Sequence, residues 1–209
     1  MGQGAANRGS PESIADLRAV VQPDSVVGRT SGEHWAGRLY GRRISIHVTR
    51  LALSLGLSPN TVTGLMIAVG LGAAGVLAVG GLWPAVISFL LMQLYLVLDC
   101  VDGEVARWTG KTSVKGIYLD RLGHYLVEGA IIAMLGVRAM GDEGLGWVVI
   151  GLVGALGALI AKAETDLVAM ARLEGGLGRM AEQATAIDNR HLAGGRRVAA
   201  YFPVHRVLH

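Results

Sequence analysis

The chain reads as all-α: a polytopic bundle of membrane-spanning helices, preceded by an amphipathic helix lying in the membrane interface. Composition argues for it first. Of 209 residues 52% are hydrophobic, only 5% are aromatic and 31 are glycine, a mix too apolar and too Gly-rich for a soluble domain of this length. Long uncharged runs argue for it next. Residues 64–82 and then 83–98 carry no charge, and residues 144–161 form another such run; at a rise of about 1.5 Å per residue, runs of this size approach the roughly 30 Å hydrocarbon thickness. The third argument is the placement of arginine. Seven arginines precede residue 51, Arg107, Lys111, Lys115 and Arg121 flank the connection between the second and third spans, and Arg172, Arg179, Arg190, Arg196, Arg197 and Arg206 follow the last. With an even number of crossings between these groups, all three belong on the cytoplasmic side.

Taken in order, residues 1–31 read as a mobile tail with at most a short helix beginning near Ser10-Pro11. No apolar segment of signal-peptide length occurs there, so the N-terminus is expected on the cytoplasmic side. Ala6 stands where a myristoylation signal wants Ser or Thr. Residues 32–56 mix Trp35, Leu39, Ile44, Ile46, Val48, Leu51 and Leu53 with Arg38, Arg42, Arg43 and Arg50, which suits a helix lying in the interface. "SPNTVT" at 58–63 reads as a turn and cap that launches the first span. Four spans follow, near 61–80, 83–107, 116–138 and 145–170, within a membrane domain of residues 32–170. Gly72, Gly75, Gly80, Gly81, Gly151, Gly154 and Gly157 are read as sites of close helix approach. Residues 171–209 form a basic C-terminal segment without an apolar run long enough to cross. Cys100 is the one cysteine, which rules out an internal disulfide. A net charge of +3, with the arginines beside apolar segments, suits anionic lipid, and nucleic acid is not expected as a partner.

Against this background residues 98–129 place acidic groups at the margin of greasy helices. Continued as a helix, residues 96–107 put Asp99, Asp102, Gly103, Ala106 and Arg107 at offsets 0, 3, 4, 7 and 8, which is one face. The third span offers Gly116, Asp120, Gly123 and His124, again on one face. Both faces fall at the same depth, so three carboxylates and an imidazole converge on one cavity. Each charge near the bilayer centre costs on the order of 3 kcal/mol, less towards the boundary, and the cluster needs counter-charge. Clustered carboxylates suit Mg²⁺, which favours sites shared with substrate phosphates. Two such ions would clamp a phosphate and its leaving group. Gly103 and Ala106 leave the helix surface bare for a nucleotide, and Arg107 offers a fork that matches phosphate.

The string Asp99-x2-Asp102-Gly103-x2-Ala106-Arg107-x8-Gly116-x3-Asp120-x3-His124 resembles the CDP-alcohol phosphotransferase (CDP-alcohol phosphatidyltransferase) signature at every fixed position but the last, where the family has aspartate. "SPNTVT" is similar to the segment this family carries before its first span, and "DGEVAR" to the branch that uses inositol phosphates. The resemblance covers roughly residues 32–170. It implies two Mg²⁺ ions, with Mn²⁺ as an alternative, held by Asp99, Asp102, Asp120 and His124. It also implies a CDP moiety against Asp102, Gly103, Ala106, Arg107 and Gly116, and a homodimer in the cytoplasmic membrane with the site facing the cytoplasm. The implied reaction, in phospholipid biosynthesis, moves a phospho-alcohol, phosphatidyl where the donor is CDP-diacylglycerol, to a small alcohol or polyol-phosphate acceptor and releases CMP.

His124 departs from that pattern and leaves three readings open: a working histidine base, a substituted or inactive homologue that binds CDP-alcohol, or a structural histidine. Imidazole has an ordinary pKa near 6.5 and accepts a proton at neutral pH, yet its nitrogen suits Zn²⁺ or other transition metals better than Mg²⁺. The family usually has six spans against four here, so the chain is expected to stop before a further helix pair. Lys111, Lys115, Arg121 and Glu128 are weaker candidates for an acceptor or its phosphate, with Thr112 and Ser113 in the same loop. Asn60 and Thr63 are read as cap residues within reach of the nucleotide, and Glu104 lies off the main face. The rival from another class is a small ion-coupled carrier; the lack of repeats and the edge position of the acids count against it.

Overall fold

The computed structural model describes residues 11–23, 40–141 and 144–176, and the described residues hold six helices and no strand. These are α1 (Ile14–Val21), α2 (Arg42–Ser54), α3 (Pro59–Leu77), α4 (Leu82–Thr109), α5 (Val114–Met140) and α6 (Gly146–Glu174). The last four are long and apolar enough to cross a membrane, so the expected all-α bundle with four spans stands. The chain divides into two compact units, Met1–Ala155 and Leu156–His209. The candidate site lies entirely in the first.

Local chemistry sets the helix ends. Ser58 caps α3 by accepting from the Thr61 N–H, with Pro59 at the first helical position, where its fixed φ is preorganised and its missing N–H costs nothing. Gly110, at φ 66, ends α4 in the left-handed conformation, which only glycine adopts without strain. Three residues later Ser113 caps α5 by accepting from the Gly116 N–H. The connection between α4 and α5 is therefore short and tightly specified, and it holds the two acidic faces in register. At the other end of the bundle the Arg138 guanidinium donates to the carbonyls of Leu77, Val79 and Gly81, tying α5 to the α3–α4 turn.

Helix α3 packs extensively along both α4 and α5. Gly70 makes the approach possible: a Cβ there would fall 2.5 Å from a Val127 methyl and 2.9 Å from the Tyr95 ring. Met66, Tyr95 and Val127 are buried together around it. Because α4 and α5 both lean on α3, the space between them is left for side chains, and that space becomes the site. The close approach expected at Gly151 is present, its Cα being 2.7 Å from where a Cβ on Gly136 would stand. Gly72, Gly75, Gly80 and Gly157 correct the expectation, since among the described residues a Cβ on any of them would have nothing within 4 Å. Gly72 and Gly75 lie on α3 away from Gly70, so the helix turns them out of the packed face.

Within the segment expected to be a mobile tail with at most a short helix near Ser10-Pro11, the short helix α1 is docked on the bundle. Ser13 caps α1 by accepting from the Asp16 N–H, and Leu17 and Val21, one turn apart, are fully buried with Ile46 of α2 and Trp108 of α4. Full burial of such side chains is worth about 2 kcal/mol each, which is what holds so short a helix in place. Helix α2 lies within the expected interfacial stretch. It buries Ser45, Ile46, Thr49 and Ala52 and exposes Arg43, His47 and Arg50 together with Ile44 and Leu51. Trp35, Arg38 and Leu39 lie outside the described residues, as do residues 177–209 with Arg196, Arg197 and Arg206.

Candidate active site

One face of α4 and one face of α5 meet across the gap that α3 leaves between them. His124 Nε2 lies 3.0 Å from Asp99 Oδ1 and 3.6 Å from Asp120 Oδ1. One ligand atom from each of the three residues lies within 4.8 Å of the others. The Asp99 and Asp120 side chains are 33% and 40% exposed, open enough for water or a ligand to reach them.

The other nitrogen of His124 faces the opposite way. Nδ1 lies 2.7 Å from the Tyr95 hydroxyl and 3.7 Å from Glu128 Oε1, and the Tyr95 ring stands edge-on to the imidazole. The hydroxyl fixes the ring plane. When Tyr95 donates to Nδ1, Nε2 carries the proton and donates to Asp99. When Nδ1 is protonated, the Nε2 lone pair is open towards Asp99 and Asp120. Tyr95 escaped the sequence reading because it sits in an uncharged run; its place one turn before Asp99 on the same face is the signal that finds it.

Beside the cluster lies a cavity of about 220 Å³. The α4 face contributes Asp102, Gly103, Ala106 and Arg107, α5 contributes Gly116, Ile117 and Asp120, the connecting loop contributes Lys111, Thr112 and Ser113, and the start of α3 contributes Pro59, Asn60 and Thr63. Asp120 thus belongs both to the cavity wall and to the acidic cluster. Every residue expected on the nucleotide is at this cavity. Asp102 is only 8% exposed, and its Oδ2 accepts from the Thr63 hydroxyl at 2.8 Å. The same hydroxyl is 3.1 Å from the Pro59 carbonyl. Thr63 is therefore no cap, and neither is Asn60, because Ser58 fills that role. Thr63 instead orients Asp102.

Of the weaker candidates, Lys111 lines the cavity and Glu128 reaches the far side of His124. Lys115 and Arg121 are exposed and do not line the cavity. Glu104, placed off the main face, is a missed residue of a different kind. Fully buried, it accepts from Ser45 at 2.7 Å, Thr49 at 2.6 Å and Gln22 at 2.8 Å, and Arg42 lies 3.5 Å away.

The acidic cluster fits a divalent cation. Two carboxylate oxygens and an imidazole nitrogen within mutual reach are an ordinary donor set for one, and their exposure leaves room for water or a phosphate oxygen to complete the coordination. Asp102 stands outside this group of three, though it shares the cavity with Asp120.

Comparison with known proteins agrees with the motif. Residues 56–178 match the family described as CDP-alcohol phosphatidyltransferase. The chain is 28% identical over 165 residues to the bifunctional IPC transferase and DIPP synthase of Thermococcus kodakarensis, an alignment that covers 79% of this chain and 36% of that protein. The chain thus spans little more than a third of the length of the curated relative it matches.

Proposed function

The chain belongs to the CDP-alcohol phosphatidyltransferase family, and from that premise we propose that it transfers a phospho-alcohol group from a CDP-alcohol to an acceptor hydroxyl with release of CMP. One observation carries the reading. The cavity bounded by Gly103, Ala106, Arg107 and Gly116 opens directly onto Asp120, which it shares with the cluster of Asp99 and His124.

In this reading the cytidine end lies against Gly103 and Ala106, where small residues leave the helix bare, and Arg107 offers its guanidinium to the pyrophosphate. Asp99 and Asp120, with Asp102 nearby, would hold Mg²⁺ or Mn²⁺, whose charge offsets that of the pyrophosphate, and Nε2 of His124 then keeps its lone pair for a proton. His124, at the position of the family's last aspartate, accepts the proton of the acceptor hydroxyl at Nε2. The acceptor oxygen bonds to the phosphorus of the phospho-alcohol, and the bond from that phosphorus to the bridging oxygen breaks. CMP leaves with the electron pair. Tyr95 and Glu128, behind Nδ1, hold the ring for this exchange.

A lipid donor, CDP-diacylglycerol, suits a site at the margin of apolar helices, which lets a greasy donor meet a water-soluble acceptor such as a small alcohol or polyol phosphate. Lys111 is placed for an acceptor phosphate. The arginine distribution favours the cytoplasmic side for the site, and in this reading the protein works as a homodimer of the cytoplasmic membrane in phospholipid biosynthesis.

A second reading is favoured by one distance. With both ring nitrogens protonated, His124 donates from Nε2 to Asp99 at 3.0 Å and itself supplies charge that a cation otherwise brings, giving a protein that binds CDP-alcohol without turning it over. One assay separates the two. Purified protein is incubated with CDP-diacylglycerol, Mg²⁺ and a panel of inositol, polyol phosphates and amino alcohols, and the products are read by mass spectrometry. CMP together with a new phosphodiester supports transfer. Bound CDP-diacylglycerol without CMP supports the silent binder, and neither binding nor CMP sinks both.

A further inference from the structure

Arg107 and Glu104 lie on α4 one turn apart, and the end of α1 holds both. The Arg107 Nε–H donates to the Val21 carbonyl at 2.7 Å. The next residue, Gln22, donates from Nε2 to Glu104 Oε1 and to the Arg42 carbonyl, each at 2.8 Å. Glu104 is in turn fixed by Ser45 and Thr49, and the α1 backbone is anchored by the fully buried Leu17 and Val21.

A guanidinium is a rigid plane, so a bond at Nε sets the direction of both terminal nitrogens. Here they lie across Gly103: a Cβ on that residue would be 3.1 Å from one and 3.5 Å from the other. Gly103 and Arg107 both line the cavity. The carbonyl of Val21 is therefore what turns the fork towards the cavity wall, and Gln22 keeps that carbonyl in place through Glu104.

We propose that α1 is a positioning element of the nucleotide site, aiming Arg107 so that docking of the N-terminal helix sets the affinity for the nucleotide of the donor. This rests on the reading of the cavity as a nucleotide site. A purely packing role for α1 would leave nucleotide affinity untouched once the bundle is folded, and that difference is measurable.

The experiment is a double-mutant cycle in full-length protein, with CDP and Mg²⁺ as the probe and calorimetry as the readout. Leu17→Ala with Val21→Ala loosens α1 and is expected to raise the Kd for CDP about tenfold, the scale of one misdirected hydrogen bond to a charged group. The same pair in an Arg107→Ala background is expected to change Kd less than twofold, because the residue being aimed is gone. Gln22→Glu sets a carboxylate against Glu104 and is expected to weaken CDP binding in the same sense without opening a cavity in the core. Equal weakening in both backgrounds, or an unchanged Kd on loosening α1, overturns the proposal while leaving the nucleotide site standing. Native protein that binds no CDP, or an Arg107→Ala protein that binds it like the native one, removes the nucleotide reading and this inference with it.

Discussion

Helix α4 carries carboxylates on two faces, and the two could hardly be treated more differently. Glu104 points to α1 and α2 with no exposed side-chain surface, and Ser45, Thr49 and Gln22 donate to its oxygens beside Arg42. Asp99, five residues earlier, is a third exposed and meets His124, with Asp120 and Asp102 on the same side of the bundle. A buried carboxylate surrounded by donors is satisfied by the protein itself. Carboxylates gathered around one imidazole accumulate negative charge that a cation would offset. The first face holds the helix; the second gives it something to do.

Neutralising one member of each face tests that division. Asp99→Asn should lower CMP release about 10³-fold, a loss of ~4 kcal/mol in transition-state stabilisation, while thermal unfolding stays where it was or moves up as repulsion is relieved. A simultaneous collapse of the melting temperature would make Asp99 a structural residue and break the contrast. Glu104→Ala should act first on stability, with a smaller loss of CDP affinity relayed through Gln22 and the Val21 carbonyl to Arg107. It leaves Arg42, Ser45, Thr49 and Gln22 facing a hole and should cost about 3 kcal/mol of stability, read as a lower melting temperature in detergent.

Why one face was legible in the sequence and the other was not follows from what each depends on. The reactive face is a property of α4 and α5 alone: offsets of 0, 3, 4, 7 and 8 fix it wherever the helix sits. The spans were nearly as plain, because uncharged runs long enough to cross leave few alternatives and the cap within residues 58–63 marks where the first begins. Glu104 is decided by what packs behind it, namely hydroxyls of α2 and a glutamine at the end of α1, and no spacing within α4 reveals that. The start signal at Ser10-Pro11 allowed a short helix, but two apolar side chains a turn apart, Leu17 and Val21, leave too faint a periodicity to show that it docks. Tyr95 was hidden for the opposite reason, since one hydroxyl within an apolar run looks like core until its partner nitrogen is known.

Smaller substitutions sharpen the comparison. Thr63→Val removes the donor to Asp102 at nearly constant volume and should reduce activity about tenfold, in line with a hydrogen bond to a charged group. The same change at Thr49, on the Glu104 face, should lower stability more than turnover. Tyr95→Phe should have the mildest effect, about fivefold on CMP release for one neutral hydrogen bond. It should also alter the ¹⁵N chemical shifts of the His124 ring, because the tautomer loses its partner at Nδ1. An unchanged spectrum would mean that Tyr95 does not orient the imidazole.

The claim that the two faces differ in kind is tested most directly by titrating Mg²⁺ into the purified protein in the presence of CDP and following the heat. Saturable binding should be seen in the native chain, be lost in Asp99→Asn and persist in Glu104→Gln. Binding that survives Asp99→Asn and disappears in Glu104→Gln would contradict it.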